Sequence, residues 1–258
     1  MDNATYPELK GKTALVTGGS RGIGAAIVRG LIDQGCNVVI NHRKNVGKSG
    51  AQAKELIEYA ESKGQKAWSL LADISSDKEI GRMFKKFAEE CSPTLDYLIL
   101  NAGSTIFKNF MEISARELRS LAEINIFSNV HCVQSALPLF QPGASVICIS
   151  STGTRKVLPG YPLGIMKSAL EELVRYLDFE LHDRDLRVNG ICAGLTNTDT
   201  YQILKETMPE IAAVVTMGHR KVLLEPEEVA DIVNFLCSRR SQAIQGNVLL
   251  ADRGLTLN

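Results

Sequence analysis

Glycines at positions 18, 22 and 24, inside Thr17-Gly-Gly-Ser-Arg-Gly-Ile-Gly24, allow a tight turn and a close approach of bare backbone to a ligand. A short apolar run precedes them and an amphipathic stretch, Ala25 to Gln34, follows. In that order the backbone N–H groups of Gly18, Ser20, Arg21, Gly22, Ile23 and Gly24 would meet a pyrophosphate at the positive end of a helix. Glycine-rich octamers also arise by chance. The strand, turn and helix around this one are what identify a dinucleotide site.

The next apolar run, Val38-Val39-Ile40-Asn41, is followed by His42-Arg43-Lys44. A protein that prefers NADH places a carboxylate there to bind the ribose hydroxyls. Here Arg43, together with Arg21, is suited to clamp a 2′-phosphate through charge-assisted hydrogen bonds, so NADPH is the expected cofactor.

These residues need a scaffold. Short runs rich in Val, Ile and Leu alternate with longer amphipathic stretches, the pattern of βαβ units around a parallel sheet buried on both faces. Strands are expected at Thr13–Thr17, Asn37–Asn41, Lys66–Leu71, Leu95–Asn101, Ser145–Ser150, Arg187–Cys192 and Asn247–Ala251. The fold class implied is α/β, a doubly wound Rossmann domain with a seven-stranded parallel sheet and helices on both faces, one domain over 1–258. Between the sixth and seventh strands lie a polar segment, a helical pattern to Val215 and a helix start at Pro226-Glu227. Residues 194–222 are read as a substrate lid over the cofactor crevice.

Composition narrows the function. Apolar residues make up 45% and charged residues 22%, the balance of a folding soluble chain. Lys plus Arg (29) equals Asp plus Glu (29), which argues against nucleic acid as a partner. The six cysteines lie far apart, without metal-ligand spacing, and read as buried thiols of a reducing compartment; no metal is expected. His131 and Trp68 read as packed residues. No apolar run reaches the length of a bilayer span and Met1 to Gly11 lacks a signal-peptide core, so a cytoplasmic location is expected.

Over nearly its whole length the chain resembles the short-chain dehydrogenase/reductase family. Thr17 to Gly24 is similar to that family's cofactor loop, Asp73 with Ile74 to its adenine contact, and Asn101-Ala102-Gly103 to its Asn-Ala-Gly element. Asn125 resembles its catalytic asparagine, Ser150-Ser151 its catalytic serine site, Lys167 its catalytic lysine, and Gly194 and Thr196 its lid-side cofactor contacts. The family's usual tyrosine, four residues before the lysine, is here Leu163, which has no proton to give. Tyr161 stands six residues before Lys167. The enoyl-acyl-carrier-protein reductases of the superfamily use a seven-residue spacing, so Tyr161 falls one short of it. Ile149-Ser-Ser-Thr-Gly153 and Gly194-Leu-Thr-Asn-Thr-Asp199 resemble the type III members.

The resemblance implies reduction of an enoyl thioester carried on acyl-carrier protein or coenzyme A, with Tyr161 as hydrogen-bond donor, Lys167 on the nicotinamide ribose, and Asn125 and Ser151 in support. Spacing from position 163 favours Ser150 and spacing from Tyr161 favours Ser151. Two other functions stay open: reduction of a ketone such as a 3-oxoacyl thioester, and NADPH binding without chemistry. The apolar stretches Ile113–Phe140 and Leu163–His182 resemble those through which family members form homodimers and homotetramers.

Overall fold

The computed structural model describes residues 5–43, 48–209 and 221–257. Its frame is one sheet of β1 (Thr13–Val16), β2 (Asn37–His42), β3 (Ala67–Leu71), β4 (Leu95–Leu100), β5 (Phe140–Ser151), β6 (Arg187–Ala193) and β7 (Val248–Ala251). All pairings are parallel, in the order β3-β2-β1-β4-β5-β6-β7. The chain reverses its direction of growth between β1 and β4, and a crevice opens beyond the strand ends at such a point.

Alternation along each strand feeds two cores. Ala14 and Val16 of β1 face a layer built by α1 (Gly22–Asp33), α2 (Lys48–Ser62) and α8 (Pro226–Cys237), while Leu15 faces the opposite layer. That second layer holds α3 (Asp77–Lys86), α5 (Ser128–Ala136) and α6 (Leu163–Leu181), with Phe84, Phe87, Leu170 and Val174 fully or nearly buried. Burying each such side chain contributes roughly 1.5–3 kcal/mol. The remaining helices are α4 (Ala115–Ala122), closed by a Ser114–Glu117 capping box, and α7 (Asp199–Thr207), capped by Thr198.

All seven expected strands are present, with small shifts at their ends. The largest is in β5, which starts at Phe140 rather than Ser145. Pro142 and Gly143 disguised that edge, and the register against β4 is irregular there. Of the helical pattern expected to run to Val215, the structure has α7 over Asp199–Thr207; residues 210–215 lie outside the described residues. The long apolar stretch after Ile113 is not one regular helix. A π-helical turn at Glu123–Phe127 separates α4 from α5. Five cysteines are buried, as read, but Cys91 is only partly so. No helix of the described residues is long and apolar enough to cross a membrane.

Near β7, Arg253 adopts a left-handed backbone, φ 51°, where glycine would be at ease. Its guanidinium pairs with Glu228 at the start of α8 and donates to the Lys221 carbonyl, contacts that offset the local strain.

Candidate active site

The C-terminal strand ends surround one cleft of about 670 Å³, within the range of small-molecule sites. At one end lies the loop after β1. Gly18 and Gly22 are left-handed, φ 61° and 53°, and a Cβ on Gly24 would sit 2.2 Å from the Gly18 carbonyl oxygen. The loop is braced from two sides. Asn101 Nδ2 donates to the carbonyls of Thr17 (3.0 Å) and Gly18 (3.2 Å), and the Thr17 hydroxyl accepts from the backbone N–H of Asn101 and Ala102. Asn41 Oδ1 accepts from Gly18 N–H at 3.4 Å while its Nδ2 donates to Leu70 and Ala72 carbonyls.

Helix α1 begins at this loop with no side-chain cap, so its first N–H groups face the cleft unclaimed by any capping side chain. Arg21 and Arg43 border the same end, and neither is paired with a carboxylate among the described residues. Asp73 turns its carboxylate onto the backbone and hydroxyl of Ser75, with the buried Ile74 between them. The donor set suits a phosphorylated dinucleotide: bare N–H groups for a pyrophosphate, two guanidiniums for a further phosphate, and a long trough between.

At the other end the cleft reaches α6. Lys167 is buried and its Nζ donates to the Ile149 carbonyl at 2.7 Å. Desolvation pulls its pKa down to about 8, with Cys148 opposing. Gly103 passes close by: a Cβ there would meet Asn125 Oδ1 at 2.9 Å and Lys167 Nζ at 3.6 Å. Gly194 is likewise tight, against the Asp252 backbone, and the Thr196 hydroxyl donates to the Gly194 carbonyl.

Tyr161 sits in the turn before α6. Its N–H donates to the Leu158 carbonyl, and Gly160 takes the left-handed conformation the turn requires, φ 73°. The ring stacks on Phe107 with centroids 5.8 Å apart, and Lys108 N–H donates to the Gly160 carbonyl at 2.8 Å. The ring keeps some exposure, whereas burial of its hydroxyl pushes the phenol up to about 12, with the neighbouring Ser151 side chain opposing. Leu163, in contrast, is buried with Leu121 and Met166.

The two serines separate cleanly. Ser150 Oγ donates to Glu171 Oε1 at 2.7 Å, away from the phenol, whereas Ser151 Oγ meets Tyr161. Every residue expected to touch the cofactor borders the cleft, and so do Tyr161 and Ser151. Asn125 does not. It is wholly buried in the π-helical turn, where Nδ2 donates to the carbonyls of Ser104 and Leu121, both at 2.9 Å. From there it supports the Gly103-Ser104 wall.

Phe107, Asn41 and Glu171 were missed in the sequence. Glu171 had left one trace, a carboxylate one turn beyond Lys167 on an otherwise apolar helix face. His131, expected to be packed, is half-buried on the surface of α5 with Nδ1 2.5 Å from Asp77 Oδ1, and Glu123 lies close by.

Comparison with known proteins now decides the family. The family model described as enoyl-(acyl carrier protein) reductase matches residues 18–256. The chain belongs to the short-chain dehydrogenase/reductase family. A 1-cyclohexenylcarbonyl-CoA reductase of Streptomyces collinus is 29% identical over 249 residues, covering 95% of this chain and 87% of that one. A tropinone reductase homolog of Arabidopsis thaliana is 31% identical, covering 97% and 94%. Among solved structures, an angucycline C-6 ketoreductase with bound NADP superposes with a TM-score of 0.88 at 28% identity, covering 100% of both chains. A Burkholderia cenocepacia short-chain dehydrogenase in complex with NADP gives 0.87 at 26%, covering 96% of this chain and 98% of that one.

Proposed function

We propose that this short-chain dehydrogenase/reductase binds NADPH and reduces the C=C bond of an enoyl thioester. The observation that carries the reading is that Tyr161, Ser151 and Lys167 border one cleft. A phenol raised to about 12 by burial keeps its proton at neutral pH and is available as a donor. That is what a thioester oxygen needs as enolate charge grows on it.

Bound NADPH supplies the hydride. Arg21 and Arg43 hold the 2′-phosphate, the Gly18–Gly24 loop the pyrophosphate, and Asp73 with Ile74 the adenine. Lys167 takes the nicotinamide ribose, beside Asn101-Ala102-Gly103, Gly194 and Thr196. Tyr161 then binds the substrate oxygen with Ser151 behind it, and Asn125 keeps the wall at Ser104 in place. The acyl group lies against Phe107, Leu158 and Tyr201, an apolar chamber suited to a thioester delivered on coenzyme A or an acyl-carrier protein. A second copy of the chain covers α4, α5 and α6, where Phe127, Tyr176 and Phe179 are exposed.

The test is NADPH oxidation with a 2-enoyl-CoA and with a 3-oxoacyl-CoA, on the natural chain and on Tyr161→Phe. Enoyl turnover lost in the variant is expected. Turnover of the 3-oxo compound alone makes the chain a ketone reductase, and NADPH binding without either turnover makes it a non-catalytic binder.

A further inference from the structure

Glu171 is a buried carboxylate close to the cleft that the mechanism above does not use, and it is gripped on three sides. Ser150 Oγ donates to its Oε1 at 2.7 Å and Thr154 Oγ1 donates to the same oxygen at 2.8 Å. Arg155 Nη2 lies 2.9 Å from Oε2. Three residues of one short loop therefore converge on a single side chain of α6. Ser151 lies between two of them.

The loop has little freedom left. Ser151 Oγ accepts from the Gly153 N–H at 3.4 Å, and Gly153 packs so closely on Gly164 that a Cβ there would sit 2.2 Å from the Gly153 carbonyl oxygen. Ser150 and Ser151 are consecutive in an extended strand and so point to opposite sides. A carboxylate that takes the Ser150 hydroxyl on one side turns the Ser151 hydroxyl to the other, towards Tyr161.

We infer that Glu171 is a positioning residue: it clamps the segment from Ser150 to Arg155 onto α6 and thereby holds Ser151 against the cleft that Tyr161 also borders. The inference rests on the Tyr161–Ser151 pair being the working site of the proposed reductase. The two hydroxyl bonds carry the clamp, since they are enclosed and share one oxygen. The Arg155 pair is half-exposed and screened by water, and it contributes less.

The experiment labels tyrosine isotopically at Cζ and follows the Tyr161 resonance, assigned by its absence in Tyr161→Phe. Its chemical shift at neutral pH reports the surroundings of the phenol, the Ser151 side chain among them. Ser151→Ala moves the resonance, and Glu171→Ala is expected to move it the same way. The double variant adds nothing further, because both changes break one interaction. Glu171→Gln keeps an acceptor for both hydroxyls and is expected to restore the natural shift. Thr154→Val cuts the clamp from the loop side and is expected to give a smaller shift in the same direction.

With a 2-enoyl-CoA, Glu171→Ala should lower kcat about tenfold, a loss typical of a displaced catalytic group, while the Kd for NADPH stays within about twofold. A resonance that stays put in Glu171→Ala and Thr154→Val, while Ser151→Ala moves it, overturns the inference. So do shifts that add in the double variant. Should Glu171→Ala fail to fold, Thr154→Val and Glu171→Gln decide the question. A natural chain that turns over no enoyl thioester sinks the substrate assignment alone, and the resonance still judges the clamp.

Discussion

Tyr161 reaches Ser151 from a turn, not from the helix that carries Lys167. On α6 itself the residue one turn before Lys167 is Leu163, buried against Leu121 and Met166. The proposed proton donor and the proposed cofactor lysine thus sit on different pieces of local structure. Tyr161→Phe is expected to lower kcat by about 100-fold or more, the usual range for a lost general acid or oxyanion donor, with NADPH affinity unchanged. Leu163→Tyr should not rescue it. The extra phenol has to enter a filled apolar cluster and is expected to destabilise the chain by about 1–3 kcal/mol, read as a lowered Tm.

Arg43 tests the cofactor preference separately from the chemistry. Removing its guanidinium deletes charge-assisted hydrogen bonds of about 1.5–3 kcal/mol, so Arg43→Ala should weaken NADPH binding about 10- to 100-fold. NADH, which has no 2′-phosphate, should bind the variant as it binds the natural chain. Titration of nicotinamide fluorescence with both cofactors checks this, and an equal loss for both would remove Arg43 from the phosphate site.

Lys167 gives the cofactor-free protein an unusual pH dependence. Burial lowers its folded pKa to about 8, below the ordinary lysine value of 10.5. Between these values the unfolded chain binds more protons at this site than the folded one, so stability rises with pH across the window. Below about pH 8 the folded protein holds a buried ammonium and that gain is absent. Relative to Lys167→Met, the natural chain should gain about 3 kcal/mol at most from pH 8 to 10.5. Denaturant midpoints of both proteins, measured across that range, give the difference. A constant difference would mean that Lys167 is hydrated.

Gly164→Ala inverts an ordinary rule. Alanine in a helix normally exceeds glycine by about 1 kcal/mol. Here the added Cβ would lie 2.2 Å from the Gly153 carbonyl oxygen, a backbone atom that cannot step aside cheaply. The variant is expected to lose about 1–3 kcal/mol and, at this chain length, about 2–4 °C of Tm per kcal/mol. Enoyl turnover should fall as well, because the displaced loop carries Ser151.

The parts of the fold set by local pattern were readable beforehand. Apolar runs placed all seven strands, and the glycine spacing placed the phosphate loop, because both signals lie within a few consecutive residues. What escaped depends on segments far apart in the chain. Phe107 and Tyr161 stack across the cleft, Ser150 finds Glu171 on another element, and Asn41 reaches both the glycine loop and β3. Ser150 and Ser151 are the clearest case: spacing supports each, and only the fold shows that Ser150 donates to a carboxylate on α6. The π-helical turn at Asn125 left no periodic trace, since one irregular turn barely disturbs an apolar pattern.

Met208, just past α7, packs over the turn that holds Tyr161: a Cβ on Gly160 would meet its Cε at 2.0 Å. A tyrosine riding on a helix would keep its aim whatever covered it. Here the proposed proton donor stands on a turn that Met208 covers. Met208 thus ties the packing of that turn to the end of α7, so in the proposed reductase a change at one is felt at the other.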